Sequence, residues 1–194
     1  MATAGAPPAG ATPSLAPEAR VVLETWLAPE TEPRWFRPDA AFDRVLALRF
    51  GALVDRAAAG AFDDWPATPE GALALAILVD QLPRNIHRGT PRAFAHDAKA
   101  REVARRALAL GHHLALPERV RLFLYLPFEH SEEAADQERA VELCRALGGE
   151  AFRHAVRHRD VIRRFGRFPH RNAVLGRAST GEELDFLQQP GSSI

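Results

Sequence analysis

Two segments of the chain are apolar on every side when they are drawn as helices, and this feature limits the fold more than any other. The large apolar side chains are Leu73, Leu75, Ile77, Leu78, Val79 and Leu82 in residues 69–82, and Val120, Leu122, Phe123, Leu124, Tyr125 and Leu126 in residues 117–126. At 100° per residue each set points in nearly every direction. A helix that is apolar all round is surrounded by protein, so we predict that these two helices form the centre of a bundle or solenoid.

Proline marks the first turn of several predicted helices. Thr68-Pro69, Thr90-Pro91 and Leu116-Pro117 each place a proline after a capping position, where its missing N–H is harmless. With apolar residues at helical spacing, these signals predict helices at residues 17–27, 39–59, 69–82, 91–110, 117–126, 131–147, 150–165 and 180–187. No stretch alternates as a strand does. The predicted fold class is all-α, an antiparallel array of about eight helices.

The two ends of the sequence differ from its helical region. Residues 1–16 contain six Ala, three Pro and two Gly and no charged residue. We predict a disordered tail at residues 1–19, a single helical domain at residues 20–187 and a flexible tail at residues 188–194. The chain shows no secretory signal and no run of about 18 apolar residues for a membrane span, so we expect a soluble cytoplasmic protein.

Charge and cysteine content narrow the function classes further. The 25 basic and 25 acidic residues cancel, whereas proteins that bind nucleic acid or membrane surfaces usually carry a basic excess. We therefore expect neither partner. The single cysteine, Cys144, excludes a disulfide framework and a Cys-rich zinc module. It shares one helix face with Val141 and Leu147, so we expect a buried, unreactive thiol.

Three connections between predicted helices are dense in polar residues. They are residues 81–88, 127–131 and 166–172, and they follow the third, fifth and seventh predicted helices. Because short connections make sequential helices antiparallel, we expect all three to lie at the same end of the fold, which we call the polar end. The same geometry brings the N-termini of the helices that open near Thr90, Ser131 and Thr180 to this end, each with unpaired N–H groups.

The polar end is predicted to be locally positive although the chain is neutral. Six arginines lie in or beside it: Arg84, Arg88, Arg92, Arg167, Arg171 and Arg177. Bidentate arginine contacts and helix N-termini hold carboxylate and phosphate groups, so we expect an anionic small molecule or an acidic peptide end as ligand. The predicted ligand-binding residues are Arg84, Asn85, Arg88, Ser131, Arg167, Arg171 and Asn172.

Several of these residues also have a structural interpretation. Asp80 lies on the apolar helix 69–82, where an ionised carboxylate needs a partner, and Arg84 is four residues further on. Asn85 and Asn172 are typical of left-handed helix ends. Ser131 is typical of a helix N-cap.

Glu129 and His130 stand out chemically because they follow a central helix, a proline and a phenylalanine. In such surroundings the pKa of a carboxyl group can rise and a histidine can act as acid or base. The candidate catalytic residues are Glu129, His130, His158 and His170. The alternative is that Glu129 and His130 only hydrogen-bond buried ends of the backbone.

The histidines of helix 150–165 fall within its apolar arc, so we expect His154 and His158 to point inward. Two histidines four residues apart can ligate zinc, but there is no third ligand and no His-Glu-x-x-His pattern, so no metal site is predicted. We expect His112 and His113, after Gly111, to be exposed loop residues at the opposite end. The sequence assigns neither a cofactor nor an oligomeric state.

Four stretches resemble a known bacterial family: Asp64–Gly71, Asp80–Asn85, Leu126–Glu132 and Gly166–Asn172. Over about Val21 to Leu187 the chain is similar to the family catalogued as domain of unknown function 924. The resemblance implies an all-helical fold like that of tetratricopeptide-repeat proteins, and it implies no reaction, substrate or cofactor. The chain itself shows no 34-residue repeat.

Three functions remain open at this stage. The first is a binding protein whose polar end accepts an anionic small molecule or an acidic peptide end. The second is an enzyme in which Glu129 and His130 act as acid and base, which requires them to converge on one substrate. The third is an interaction scaffold whose polar cluster is purely structural and encloses no cavity. Binding ranks first because no complete nucleophile, metal or cofactor motif occurs.

Overall fold

Helices supply the regular structure of the computed structural model, which describes residues 14–192. Over these residues there are ten α-helices and no strand: α1 (Pro17–Trp26), α2 (Ala40–Ala58), α3 (Pro69–Ala76), α4 (Leu82–Ile86), α5 (Asp97–Ala109), α6 (His112–Ala115), α7 (Glu118–Glu129), α8 (Ala134–Leu147), α9 (Gly149–Phe165) and α10 (Gly181–Leu187). A π-helical turn, Ile77–Gln81, joins α3 to α4. The predicted all-α class is confirmed, whereas the tetratricopeptide-like arrangement stays a prediction.

Side-chain caps fix the start of three helices. The Asp39 carboxylate accepts hydrogen bonds from the first N–H groups of α2, and Thr180 with Glu183 forms a reciprocal capping box at α10. Thr68 accepts from the N–H of Gly71 at the start of α3 (3.0 Å). A Cβ atom at Gly71 would lie 2.0 Å from the carbonyl oxygen of Trp65, so only glycine fits there.

The core lies around α3 and α7, which confirms the prediction from their all-round apolar character. Every residue from Leu73 to Val79 is at most 1% exposed, and so are Phe123 and Leu124 of α7. The helices α1, α5 and α7 all pack on α3. Truncation of a buried phenylalanine such as Phe123 to alanine costs about 3–5 kcal/mol, so this layer contributes strongly to stability.

Proline does not end the two central helices where the sequence predicted. The helix predicted at residues 69–82 continues to Ile86, and the helix predicted to end at residue 126 runs through Pro127 to Glu129. In the first case the π turn explains the continuation. The N–H of Leu82 bonds to the carbonyl of Ile77, five residues back, and the wider turn sets Pro83 within the first turn of a new helix, α4.

Three other predictions about local structure are wrong. The helix predicted at residues 91–110 is divided into a 3-10 turn, Pro91–Phe94, and the helix α5, which begins at Asp97. The helix predicted from residue 131 begins at Ala134. His112 and His113 are half-buried in the short helix α6 and are not exposed loop residues. Nε2 of His112 lies 3.2 Å from the carbonyl oxygen of Pro66, which holds this helix against the turn before α3.

The predicted tails are only partly within the described residues. Helix α1 begins inside the predicted tail of residues 1–19, and residues 1–13 and 193–194 lie outside the description. Residues 188–192 contact the helices beside them: the carbonyl of Gly191 accepts from Arg157 (2.8 Å) and Ser192 donates to the carbonyl of Leu187 (3.0 Å). Between residues 14 and 192, no helix combines the length and hydropathy needed to cross a membrane.

Candidate functional site

The three polar connections meet at one end of the helical array, as their spacing predicted. Asp80 lies 3.1 Å from Arg84 of the first connection and 2.9 Å from Nδ1 of His130 in the second. Asp97, at the start of α5, lies 2.9 Å from Arg84 and 3.5 Å from Arg171 of the third. Two carboxylates therefore link arginine and histidine side chains that are up to 87 positions apart in the chain, from Arg84 to Arg171.

The charge of the polar end differs from the prediction. Each of its six arginines lies within 4 Å of a carboxylate: Arg84 of Asp80 and Asp97, Arg88 of Asp43, Arg92 of Asp55, Arg167 of Glu183, Arg171 of Asp97, and Arg177 of Glu132. The predicted pair of Asp80 and Arg84 is present. The expectation of a locally positive surface is wrong because most of the partner carboxylates come from α2, α5 and α10, outside the polar connections.

Asp80 is a fully buried carboxylate that keeps its charge. Its side chain accepts hydrogen bonds from Gln81 and from Nδ1 of His130 (2.9 Å), beside the guanidinium of Arg84. Burial raises the pKa of Asp80, but Arg84 and His130 outweigh burial and lower this pKa to about 2. An ionised carboxylate only accepts hydrogen bonds, so Nδ1 of His130 donates and Nε2 carries the lone pair when the ring is neutral.

Glu129 is buried to the same degree without such partners. Its side chain is 2% exposed, and its Oε2 atom has no hydrogen-bond partner within the described part of the chain. Burial, and then the negative charge of Asp80, raise the pKa of Glu129 to about 8. Glu129 is therefore protonated and neutral at pH 7.

His158 lies against Glu129, with its Nδ1 atom 3.0 Å from Oε1. Burial lowers the pKa of His158 to about 3, so this is a contact between two neutral groups and not a salt bridge. Nδ1 of His158 also lies 2.9 Å from the backbone carbonyl of His154, which can only accept, so Nδ1 donates. Nε2 of His158 therefore carries the lone pair.

A cavity of about 540 Å³, which we call the first cavity, opens beside these groups. Its inner wall is polar and consists of Gln81, Arg84, Asn85, Arg88, Glu129, His130 and His158. Its apolar wall consists of Trp35, Phe36, Leu122, Leu126 and Ala151. The remaining lining residues are Arg37, Glu150, His154 and Arg157. The volume falls within the range of ordinary small-molecule sites.

The apolar wall is held in place by contacts of Trp35 that the sequence did not predict. The indole N–H of Trp35 donates to the carbonyl of Trp26 (2.7 Å), and its ring meets Phe123 edge-on at 4.7 Å. Phe36 follows and is exposed. The segment Trp35-Phe36-Arg37 lies between α1 and α2 and carries no polar motif. Its two neighbouring aromatic residues outside a helix were the only signal in the sequence.

Arg37 and Arg157 differ from the arginines of the polar end. Within residues 14–192 neither has a carboxylate within 4 Å, and Arg157 donates only to the carbonyl of Gly191. Both line the first cavity. Among the described residues, these are the two guanidinium groups of that cavity with no carboxylate within 4 Å.

A second cavity of about 310 Å³ lies on the other side of His130, which lines both. Arg171 reaches into it between the rings of Phe94 and Phe168, at 4.7 and 4.4 Å from their centroids. Burial, followed by the charge of Arg84, lowers the pKa of Arg171 to about 10, which leaves the guanidinium charged at pH 7.

The candidate residues divide between the two cavities and the structure around them. The first cavity is lined by Arg84, Asn85, Arg88, Glu129, His130 and His158, and the second by His130, Ser131 and Arg171. Arg167, His170 and Asn172 line neither cavity. Arg167 donates to Glu183 (2.6 Å) and Asn172 to Ser179 (3.1 Å), and burial lowers the pKa of His170 to about 4.

The structural interpretations of Asn85, Asn172 and Ser131 as residues that end or cap helices are wrong. Within the described residues only glycines have positive φ, so neither Asn85 nor Asn172 ends a helix in the left-handed conformation. Ser131 is not the N-cap of α8: it accepts from the N–H of Glu133 (3.2 Å) and donates to Asp136 (2.8 Å).

Gln137, and not Glu129 or His130, satisfies the buried backbone in this region. Its amide donates to the carbonyls of Glu129 and Ser131. The side chain of His130 is directed at Asp80, and Oε2 of Glu129 contacts no polar group of the described chain. The side chains of Glu129 and His130 are therefore not explained by the needs of the backbone.

His154 is the one histidine of α9 that the sequence misplaced. Its side chain is 50% exposed and lies near Glu150, whereas His158 is buried as predicted. Between residues 14 and 192 no three His, Cys, Asp or Glu side chains are grouped to hold a metal ion. Cys144 is buried as predicted, and burial, followed by the ionised form of Glu129, raises its pKa to about 12; the lack of reactivity stays a prediction.

Fold and site together define an all-helical protein with a cavity beside a cluster of buried titratable groups. Residues 22–191 match the model of the family described as bacterial protein of unknown function (DUF924). A solved structure of a protein of unknown function from Agrobacterium tumefaciens is similar, with a TM-score of 0.84 and 43% identity over 88% of this chain and 97% of that chain. No curated protein matches. The chain belongs to the DUF924 family, as the resemblance predicted.

Proposed function

We propose that this protein binds a small anionic molecule with an apolar part in the first cavity. The observation that carries the proposal is the combination of an apolar wall, Trp35 and Phe36 foremost, with Arg37 and Arg157, which have no carboxylate partner within the described chain. Aromatic rings supply contact area for a ring or a short chain, and a guanidinium group binds carboxylate or phosphate oxygens in bidentate geometry.

This proposal moves the anion away from the arginines that the sequence favoured. Arg84 already holds the carboxylates of Asp80 and Asp97, and Arg88 holds that of Asp43. A ligand anion would have to compete with these ion pairs, whereas Arg37 and Arg157 have no carboxylate within 4 Å in the described part of the chain. Arg84 and Arg88 then shape the inner wall, and the anion lies nearer the apolar wall.

The alternative of a purely structural polar cluster predicts no cavity at this end. A cavity of about 540 Å³ beside Glu129 and His130 argues against it. The carboxylate partners of the six arginines support the structural interpretation for those arginines, but not for Glu129 and His130.

Calorimetric titration with a panel of anions tests the proposal. We expect benzoate, phenylacetate, phenylpyruvate or phenyl phosphate to bind and raise the unfolding temperature, whereas acetate and inorganic phosphate, which lack the apolar part, do not. A ligand present at 100 times its Kd adds about 2.7 kcal/mol to the free energy of unfolding. A short peptide that ends in Asp or Glu, added to the panel, distinguishes the acidic-peptide ligand from the small molecule.

Matched arginine variants locate the anion. Arg37→Ala and Arg157→Ala should each weaken binding about tenfold, the loss expected for one charge-assisted hydrogen bond of about 1.5 kcal/mol. Arg20→Ala, at an exposed arginine of α1 outside both cavities, should leave affinity unchanged. Failure of every aromatic anion to bind, or equal affinity in all three variants, would contradict the proposal.

A further inference from the structure

A proton acceptor and a proton donor lie side by side on the inner wall of the first cavity. They belong to adjacent residues, His130 and Glu129, and His158 lines the same cavity. The ring centroids of His130 and His158 are 6.4 Å apart, and Nδ1 of His158 is 3.0 Å from Oε1 of Glu129. Both residues line the first cavity, which places them within reach of one ligand that fills it.

His130 has the arrangement of a general base. Asp80 accepts the Nδ1 proton (2.9 Å), which fixes the ring orientation and the tautomer and stabilises the imidazolium that forms when the ring takes up a proton. Nε2 has no partner within residues 14–192 and is not among the buried polar atoms, so it is open to a ligand. Burial and the charge of Arg84 lower the pKa of His130, against the effect of Asp80, so the ring is unprotonated at neutral pH.

Glu129 has the arrangement of a general acid. Its Oε2 atom is buried and has no partner in the described chain, which leaves one hydrogen-bonding group unsatisfied beside the cavity. His158 cannot accept the carboxyl proton at Nδ1, because that nitrogen donates to the His154 carbonyl. A carbonyl oxygen of a ligand is the acceptor that the Glu129 O–H group lacks.

We propose that the first cavity catalyses proton transfer at a carbon next to a carbonyl group, that is, keto–enol tautomerisation or isomerisation of an anionic substrate. Nε2 of His130 takes the proton from the carbon, the C–H electron pair forms the C=C bond, and the carbonyl oxygen takes the proton of Glu129. The inference rests on the proposed binding function.

The step balances without any further reactant. It leaves an enol, an imidazolium at His130 and a carboxylate at Glu129. Return of the proton from His130 to the same carbon, or to the far end of a second C=C bond conjugated with the enol, with return of the hydroxyl proton to Glu129, restores both residues. When the enol itself leaves, the imidazolium of His130 gives its proton to water and the carboxylate of Glu129 takes one from water. The cavity lining contains no Ser, Thr, Cys or Lys, so no covalent intermediate is part of the proposal.

Deuterium exchange tests the inference directly. Phenylpyruvate is the probe because it combines an aromatic ring, a carboxylate and an acidic C–H group beside a ketone. In D2O we expect the protein to exchange the methylene protons, followed by proton NMR, at least 100-fold faster than buffer, within the usual gain of 10²–10⁴ from acid–base catalysis.

The variants Glu129→Gln and His130→Asn should reduce exchange by 100-fold or more and leave the calorimetric affinity for phenylpyruvate within about threefold. Glutamine matches the neutral form of Glu129, and asparagine keeps an N–H donor for Asp80, so both variants should fold. The matched control is Glu142→Gln, at an exposed glutamate on α8, which should exchange as the wild type does.

The outcomes separate the two proposals. If phenylpyruvate binds and its protons exchange no faster than in buffer, or if Glu129→Gln retains full exchange, the catalytic inference is overturned while the binding function stands. If neither phenylpyruvate nor any other aromatic anion binds, both are overturned.

Discussion

Asp80 and Glu129 are both buried carboxylates of the polar end, and they hold opposite protonation states. Asp80 is 0% and Glu129 2% exposed. Asp80 has Arg84, His130 and Gln81 as partners and a pKa of about 2, whereas Glu129 has no cationic partner, a neutral His158 beside it and a pKa of about 8. The difference shows that the neighbours of a buried carboxyl group, and not the burial alone, decide its charge.

The two environments come from different local structures. Asp80 lies in the π turn that joins α3 to α4, where Arg84 is four residues away and can reach its carboxylate. Glu129 is the last residue of α7, beyond Pro127, and it faces α9, which supplies His158. Such a pair of carboxyl groups with separated pKa values is the usual basis for assigning acid and base roles in an active site.

Replacement of Arg84, the cationic partner of Asp80, should cause the largest loss of unfolding free energy. Arg84→Met leaves the charges of Asp80 and Asp97 without their guanidinium, and breaking a buried ion pair from one side costs about 3–5 kcal/mol of unfolding free energy. Urea denaturation at pH 7 measures it. Arg88→Met, which breaks the more exposed pair with Asp43, is the control and should cost at most about 1 kcal/mol. Equal losses would contradict the account of Asp80.

Glu129 should destabilise the protein as pH rises. Its pKa is higher in the folded state, about 8, than its ordinary value of 4.5, so the folded state holds the proton more tightly. The stabilisation is complete below pH 4.5 and is lost as pH rises toward and through 8, at a rate of up to about 1.4 kcal/mol per pH unit.

Urea denaturation between pH 5 and pH 9 checks this for the wild type and for Glu129→Gln. The variant has no titrating group at this position. The free energy of unfolding of the wild type should therefore fall relative to that of the variant as pH rises. The change in charge of His158, whose pKa is lowered to about 3, affects both proteins and cancels in the difference. Parallel curves would show that Glu129 is already ionised in the folded protein.

The hydrogen bond from Gln81 to Asp80 should make the smallest contribution to the free energy of unfolding. Gln81→Met removes one donor to Asp80 and leaves Arg84 and His130 in place, so a loss of about 1.5 kcal/mol is expected for a hydrogen bond to a charged group. The same urea measurement at pH 7 determines it. A loss as large as that of Arg84→Met would mean that hydrogen bonding, and not the ion pair, keeps Asp80 charged.

The sequence alone predicted which helices are central and which connections meet at the site. Apolar residues on all sides identified α3 and α7 as the central helices, and the alternation of helix direction brought Arg84, His130 and Arg171 to one end. Both inferences depend on patterns within single segments. The raised pKa of Glu129 also followed from its position after a buried helix.

What the sequence did not predict depends on contacts between distant segments. Asp43 neutralises Arg88 from a helix 45 residues earlier, and Asp97 neutralises Arg84 from the start of α5, 13 residues later. Neither pair has a helical spacing that the sequence pattern could indicate. The wall formed by Trp35 and Phe36 comes from an irregular segment with no motif. His154 was misplaced because the edge of an apolar arc does not fix the direction of a side chain.

The protonation state of Glu129 is the most direct test of this account. Carboxyl carbon NMR of protein labelled with ¹³C-glutamate, with Glu129→Gln used to assign the signal, gives the pKa of this group. The account predicts a midpoint near pH 8, because burial and the charge of Asp80 both oppose ionisation. A midpoint near the ordinary value of 4.5 would contradict it.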